Sequence, residues 1–279
     1  MKKSDFFLFS ALAVLFLLFF SPIYKPLYYR FTAFNSYYSH GFLVPFISIY
    51  LAWRKRDILK TIPVIENKIG LYIIICGIIL FTGSRLFVLN IVSYIAFFAV
   101  IFGMILYLFG TRIVKEVSGA LIFLLFMLPL PEFMIIGITF KMKMFATYIS
   151  NIILNQIGLK TEIAGSRMFY PGGSLIVGDV CSGLRSSISF LALSAILVQI
   201  VDFKIWKKIL IVFSSIPIAI ISNVSRITLL VIACYIYGEH TANGIIHDLL
   251  GILVFIVGFI LFMILIGMMK CKDSKEDLL

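Results

Sequence analysis

Residues Ile209–Gly238 have the sequence ILIVFSSIPIAIISNVSRITLLVIACYIYG, which contains one charged side chain, Arg226, far from either end. About 20 apolar residues cross a bilayer, so this run predicts a membrane-spanning helix. An arginine there costs about 2.5–3.5 kcal/mol on insertion scales, so Arg226 should face the interior of a helix bundle or a wet cavity. Asn223, three residues earlier, lies on the same helical face. An arginine that snorkels or pairs structurally is the alternative, and its distance from the ends makes snorkelling difficult.

The composition of the whole chain supports a membrane protein. Of 279 residues, 62% are hydrophobic and 13% are charged, whereas a soluble domain is nearer half apolar and a quarter charged. The net charge is +11, but basic residues flank apolar runs, which indicates topology signals and lipid contacts rather than nucleic-acid binding. No CxxC pair occurs among the four cysteines, so neither a zinc knuckle nor a redox pair is expected. We expect no metal and no cofactor.

We predict an all-α polytopic membrane protein that forms a single multi-pass domain over residues 1–279. Apolar runs predict about eight spans, namely Phe6–Tyr24, Gly41–Trp53, Ile69–Phe87, Ile91–Gly110, Val117–Leu130, Ser182–Val201, Ile209–Gly238 and Ile245–Met269. With a cytoplasmic N-terminus, fifteen basic residues fall on cytoplasmic segments and seven on outer segments. This bias fits both termini, and a basic tail at 270–279, lying in the cytoplasm.

Between the fifth and sixth predicted spans, residues 132–181 are predicted to form an insertion on the outer side. Lys141–Leu159 has apolar residues at helical spacing, which predicts an amphipathic helix on the membrane surface. Residues 161–177 contain short β-prone pieces separated by Gly and Pro, which predict a small hairpin.

Cys181 follows this insertion in the segment Gly178-Asp-Val-Cys-Ser-Gly-Leu-Arg185. A cysteine at a helix N-terminus faces unpaired amide donors and the positive end of the helix dipole, which favours the thiolate. Arg185 adds positive charge on the same face, and the free amides can hold an oxyanion. The alternative is a small apolar residue at a helix end.

Histidines supply the candidate proton carriers. His247 begins the last predicted span, on the same side as Cys181 in the predicted topology. An imidazole there can pass protons between a thiol and a leaving amine, although a solvated interfacial histidine is the alternative. His240 is predicted to be a solvated loop residue. His40, in Ser39-His40-Gly41, by itself indicates only an interfacial position.

Taken in order, these segments resemble the exosortase/archaeosortase family of multi-pass membrane cysteine transpeptidases. The resemblance rests on Ser39-His40-Gly41 with its downstream Pro, Trp and Arg, on Cys181-Ser-Gly-Leu-Arg185, on Asn223-x-x-Arg226 and on His247-x-x-x-Gly251. It implies a catalytic set of Cys181, Arg226 and His247. Around this set we expect supporting or substrate-binding roles for Arg185, Asn223, Ser182, Gly183 and His40.

The resemblance also implies a substrate class and a location. The substrates would be exported proteins whose C-terminal sorting tail has a short motif (Pro-Glu-Pro in many bacteria), one transmembrane helix and a basic end. The implied reaction passes through a thioester on Cys181 and transfers the protein to a lipid- or glycan-linked acceptor outside the plasma (inner) membrane. Members often accompany exopolysaccharide production.

Two other readings of the sequence stay open. One is a polytopic transporter, since an intramembrane arginine and asparagine in a helix with a proline also suit a transport path. Against a transporter, the sequence shows no inverted repeat and no acidic residue within a span. The other is a non-catalytic partner of exopolysaccharide export.

Overall fold

The computed structural model describes residues 14–33, 36–87, 89–239, 241 and 245–276, without the side chains of residues 180, 245–248 and 271–276. The chain divides into two compact units, residues 1–131 and residues 132–279. The predicted all-α architecture is confirmed, since helices dominate both units and the second unit adds one small sheet.

Helices form the first unit. They are α1 (Ser21–Thr32), α2 (Leu43–Arg54), α3 (Arg56–Thr61), α4 (Lys68–Leu86) and α5 (Asn90–Leu124), with 3-10 turns at Ser39–Phe42 and Leu125–Met127. The start of α4 is fixed by Asn67, whose side chain accepts a hydrogen bond from the Ile69 amide at 2.9 Å. Asparagine is a favoured residue at this position because it satisfies an amide that the helix leaves unbonded.

Gly110 interrupts α5. Its backbone has φ 78° and ψ 177°, and the helix is broken there. Phe98 lies before the break, yet it packs on a cluster formed by Leu106, Val114, Val117 and Leu121. Because a helix rises 1.5 Å per residue, Phe98 would contact no member of this cluster in a straight helix. The chain therefore turns back on itself at Gly110, and the two halves of α5 pack against each other.

The second unit contains α6 (Glu132–Gln156), α7 (Leu184–Ile200), α8 (Ile205–Tyr237) and α9 (Ile245–Glu276). Phe190 of α7 is fully buried between α8 and α9, in a cluster with Ile211 and Phe262. A Cβ atom placed on Gly258 of α9 would lie only 2.2 Å from the Phe190 ring. The glycine thus lets α9 pack closely over this ring.

The predicted hairpin is a three-stranded antiparallel sheet in the order β1 (Glu162–Ala164), β2 (Arg167–Tyr170) and β3 (Gly173–Ile176). Gly165 and Gly172 occupy its two tight turns with positive φ angles of 63° and 93°, a conformation that suits glycine. Alternate residues of the sheet, including Met168 and Leu175, are buried in an apolar cluster with Cys181. The sheet thereby packs against the segment that carries the cysteine.

Two sequence predictions are corrected here. Eight spans were predicted, but the described residues contain five helices long and apolar enough to cross a membrane, over 68–86, 90–127, 132–156, 205–237 and 249–270. Two predicted spans form helices of only 12 and 17 residues, Leu43–Arg54 and Leu184–Ile200. Two others are joined in α5, and residues 6–13 of the first lie outside the described residues.

The second correction concerns the surface helix predicted at Lys141–Leu159. This segment belongs to α6, which begins nine residues earlier at Glu132 and is itself long and apolar enough to span. The helix was predicted to start too late because Pro129 and Pro131 suggested a broken end to the preceding helix, whereas a new helix starts directly after them.

The conformation of Gly110 gives a test of the break in α5. An added Cβ at this position would lie 2.0 Å from the Ile65 carbonyl oxygen, and its backbone region is one that only glycine occupies readily, at a cost of about 1–3 kcal/mol for other residues. We expect G110A to lower the thermal unfolding midpoint of the detergent-solubilised protein by several degrees. The matched control is G83A in α4, where an added Cβ meets no atom within 4 Å. An equal midpoint for the two variants would contradict the described break.

Candidate active site

Cys181 ends a short 3-10 helix, Asp179–Cys181, just after the sheet. The turn is closed by hydrogen bonds from the Cys181 amide to the Gly178 carbonyl at 3.0 Å and from the Ser182 amide to the Asp179 carbonyl at 3.1 Å. Lys143 of α6 binds the Asp179 carboxylate at 2.7 Å. The cysteine is therefore held on a turn that is tied both to the sheet and to α6.

The chain enters α7 through Gly183, whose φ of 84° is left-handed. The helix begins at Leu184, two residues after the predicted start. Ser182 is completely buried, and its hydroxyl accepts a hydrogen bond from the Leu184 amide at 3.4 Å. The hydroxyls of Ser186 and Ser187 donate to the Gly183 carbonyl at 2.9 and 2.8 Å. Serine side chains therefore organise the start of this helix.

Asn223 of α8 packs directly on this entry turn. A Cβ atom on Gly183 would lie 2.7 Å from Asn223 Cγ and 2.8 Å from Asn223 Nδ2. Asn223 is 3% exposed, and its Nδ2 has no hydrogen-bond partner within the described part of the chain. A buried side-chain amide donor thus lies beside Gly183, two residues after Cys181.

Arg226 lies one turn further along α8 and reaches two other elements. A Cβ atom on Gly251 of α9 would be 3.4 Å from Arg226 Nη2, so the guanidinium packs over this glycine. The positive charge of Arg226 also acts on the thiol of Cys181. The arginine therefore links α8, α9 and the cysteine turn.

The surroundings of Cys181 are apolar. The residue is 6% exposed and packs in a cluster that includes Val224 and Ile227 of α8 and Leu154 of α6. Burial raises the pKa of the Cys181 thiol, and the charge of Arg226 opposes this increase without cancelling it. The sequence predicted that the helix start favours the thiolate. In the structure, burial raises the pKa of the thiol by more than the charge of Arg226 lowers it.

A family profile described as transmembrane exosortase matches residues 29–264. The chain belongs to the transmembrane exosortase family. The match includes every residue that the sequence analysis assigned to the site. Comparisons with curated proteins and with solved structures found no significant match.

The remaining predicted site residues of this exosortase-family chain are placed as follows. Arg185 lies half-buried in the first turn of α7. His247 lies in the first turn of α9, four residues or one helical turn before Gly251; its side chain lies outside the described residues, so its role stays a prediction. His240 also lies outside them.

His40 belongs to the first unit, in the 3-10 turn Ser39–Phe42. Burial lowers its pKa, and a hydrogen bond to the backbone of Phe126 opposes the shift. This hydrogen bond holds the His40 imidazole against another segment of its own unit. Its predicted supporting role is not tested by this placement.

Several residues that hold the site together were not identified from the sequence. Lys143 anchors the cysteine turn, and Ser150 of α6 donates a hydrogen bond to the Val224 carbonyl of α8 at 3.2 Å. The exposed Glu239 carboxylate accepts a hydrogen bond from the Ser174 amide at 2.7 Å and so holds β3 at the end of α8. Their only signal was a polar residue in or beside an apolar run, which does not identify the partner.

The opposing effects on Cys181 predict how its reactivity depends on pH. Because the thiolate is the nucleophile, alkylation should keep rising above the pH range of an ordinary thiol. R226Q removes the charge that lowers the pKa of Cys181, so its labelling curve should shift to still higher pH, whereas R226K should stay near the parent curve.

The measurement uses a small neutral alkylating reagent on the folded protein with Cys76, Cys234 and Cys271 replaced by alanine. Adding C181A to this background gives the blank. A labelling midpoint that is the same in R226Q and R226K would mean that the guanidinium does not act on the thiol.

Proposed function

We propose that this exosortase-family protein is a membrane cysteine transpeptidase that cleaves the C-terminal sorting tails of exported proteins. The observation that supports the proposal most directly is the influence of Arg226 on the thiol of Cys181, at a turn where a buried amide donor of Asn223 also lies. A thiol, a positive charge and a buried amide donor suit acyl transfer through a thioester.

The proposed reaction begins with removal of the Cys181 proton. Since burial raises the pKa of this thiol, a base must accept the proton when the substrate is bound, and we assign that role to His247. The thiolate attacks the scissile carbonyl, and the protonated imidazole then gives its proton to the leaving amine. This leaves a thioester on Cys181, which an acceptor amine or hydroxyl attacks after His247 removes its proton, releasing the thiol.

The negative charge that develops on the scissile oxygen needs preorganised donors. Asn223 Nδ2 lies against Gly183 at the head of α7 and has no hydrogen-bond partner within the described residues. We assign this donor to the oxyanion. Arg226 supplies the positive charge that favours both the thiolate and the oxyanion, and such a charge acts more strongly at a buried site than in water.

The proposed substrate follows from the family. It is an exported protein that ends in a short motif, one transmembrane helix and a basic tail, with Pro-Glu-Pro as the motif in many bacteria. The proposed membrane is the plasma (inner) membrane, with both termini in the cytoplasm and the site on the outer side. The acceptor is proposed to be lipid- or glycan-linked.

Replacement of the nucleophile tests the assignment. We expect C181A and C181S to accumulate the uncleaved precursor of a tail protein encoded in the same genome, because neither side chain can form the thioester. The measurement is the ratio of precursor to processed protein by immunoblot, with the amount of membrane-inserted enzyme checked in parallel.

The matched control is C234A, which removes a second buried thiol from the same apolar cluster and should process the tail normally. Normal processing by C181A would reject the enzyme and favour a non-catalytic partner of export. A transport role would instead appear as an activity that C181S retains.

The oxyanion assignment is tested by N223A. Removing one donor of this kind lowers kcat by about 10²–10³-fold, and we expect a fall of that order with little change in KM. The control is S222A, because the Ser222 hydroxyl is also buried on α8 without a hydrogen-bond partner within the described residues. Equal activities of N223A and S222A, or a defect confined to KM, would remove Asn223 from the oxyanion site.

A further inference from the structure

A groove of about 720 Å³ lies in the first unit between α2, α3 and α5. This volume is within the usual range of ligand pockets, about 300–1,000 Å³. The groove exists because small residues, Ala52 of α2 and Ala120 of α5, line it where larger side chains would fill it. Phe97 and Leu121 come from opposite halves of α5, so the turn at Gly110 creates this surface. Its lining is almost entirely hydrocarbon.

Two cations lie at one end of the groove. Arg56 and Lys60, both on α3, are among its lining residues. They share one acidic neighbour, Asp57, at 3.9 Å from Arg56 Nε and 3.6 Å from Lys60 Nζ. These side chains are exposed, and exposed pairs of this kind are weak. The segment from Arg54 to Lys60 contains four basic residues and one acidic residue, so the end of the groove is positively charged.

The Arg56 side chain points back along the chain toward Trp53. Its guanidinium stacks on the ring of Trp53 at 4.1 Å, and tryptophan is typical of the membrane–water boundary. Further along α2, Ser48 lines the same groove and is 92% buried, with a relative exposure of 8%. Its hydroxyl has no hydrogen-bond partner in the described part of the protein. An unpartnered hydroxyl group therefore lies in the wall of the groove.

We propose that this groove binds an anionic glycerophospholipid. The phosphate lies at Arg56 and Lys60, and a hydrocarbon chain lies between α2 and α5. An ester oxygen of the lipid accepts a hydrogen bond from the Ser48 hydroxyl. Charge complementarity selects an anionic head group, and Ser48 selects a lipid that has ester oxygens near its phosphate. A polyprenyl phosphate has the charge but lacks these oxygens. The site lies within the first unit and does not depend on the proposed enzymatic reaction.

Native mass spectrometry of the purified full-length protein tests this site. Phosphatidylglycerol and phosphatidylcholine with identical acyl chains are added separately, and the bound fraction of each is measured. We expect phosphatidylglycerol to be retained preferentially. R56Q/K60Q should weaken its binding by about tenfold or more, because each basic residue contributes to the attraction of an anionic lipid, and should leave phosphatidylcholine unchanged. S48A and A52L should weaken both lipids.

The matched control is K204Q/K208Q, which removes the same charge from the second unit and should retain phosphatidylglycerol like the parent protein. The exposed positions of Arg56 and Lys60 leave packing intact, so this variant decides the question even if A52L lowers stability. Equal retention of the two lipids, or parental retention by R56Q/K60Q, would overturn the proposal. Displacement of phosphatidylglycerol by an equimolar polyprenyl phosphate would also overturn it, since the groove would then serve a different occupant.

Discussion

A guanidinium cannot remain in a hydrocarbon environment without polar neighbours, and this constraint organises the second unit. Arg226 lies near the middle of α8, where exposure to lipid would cost several kcal/mol. The helices place it instead between Gly251 of α9 and the turn of Cys181. Packing of α7, α8 and α9 therefore avoids the cost of exposing Arg226 to lipid. The same arrangement places its positive charge near the thiol of Cys181.

Glycines make this arrangement possible because they let backbones approach a neighbouring side chain. Gly183 takes a left-handed conformation against Asn223, and Gly251 accommodates the Arg226 guanidinium. Small residues have this role at many interfaces between membrane helices. The consequence is a tightly packed, buried site in which electrostatic effects are strong, but the thiolate of Cys181 is also costly to form. In the proposed reaction, such a buried thiol depends on a proton acceptor and on substrate binding.

The first unit has a different organisation. Its longest helix turns back at Gly110, and both halves of α5 then face α2 and α3 with a groove between them. Lys55 pairs with Glu116 at 3.2 Å and joins α2 to the second half of α5. The basic residues near this pair belong to those that the sequence analysis placed on the cytoplasmic side. In the structure they also border an apolar groove, so one set of charges suits both insertion and lipid contact.

The sequence by itself determined the class of the protein and the family, and it supplied the candidate residues of the proposed site. Hydropathy and composition predict a membrane protein because the bilayer imposes the same requirement on every span. The segments around Cys181, Asn223 and Arg226 carry the family resemblance through local motifs. The positive φ of Gly183 and the sheet turns follow the same local logic, since glycine is the residue that tolerates them.

Tertiary structure decided the rest. Eight apolar runs did not become eight spans, because hydropathy does not show that α5 folds back at Gly110 or that α6 starts at Glu132. The direction of the pKa shift of Cys181 also could not be predicted from the sequence, because a helix start favours the thiolate while burial opposes it. Which effect prevails depends on how many apolar side chains from α6, α8 and the sheet surround the sulfur. Such contacts join residues far apart in the chain, and local pattern contains no information about their distances.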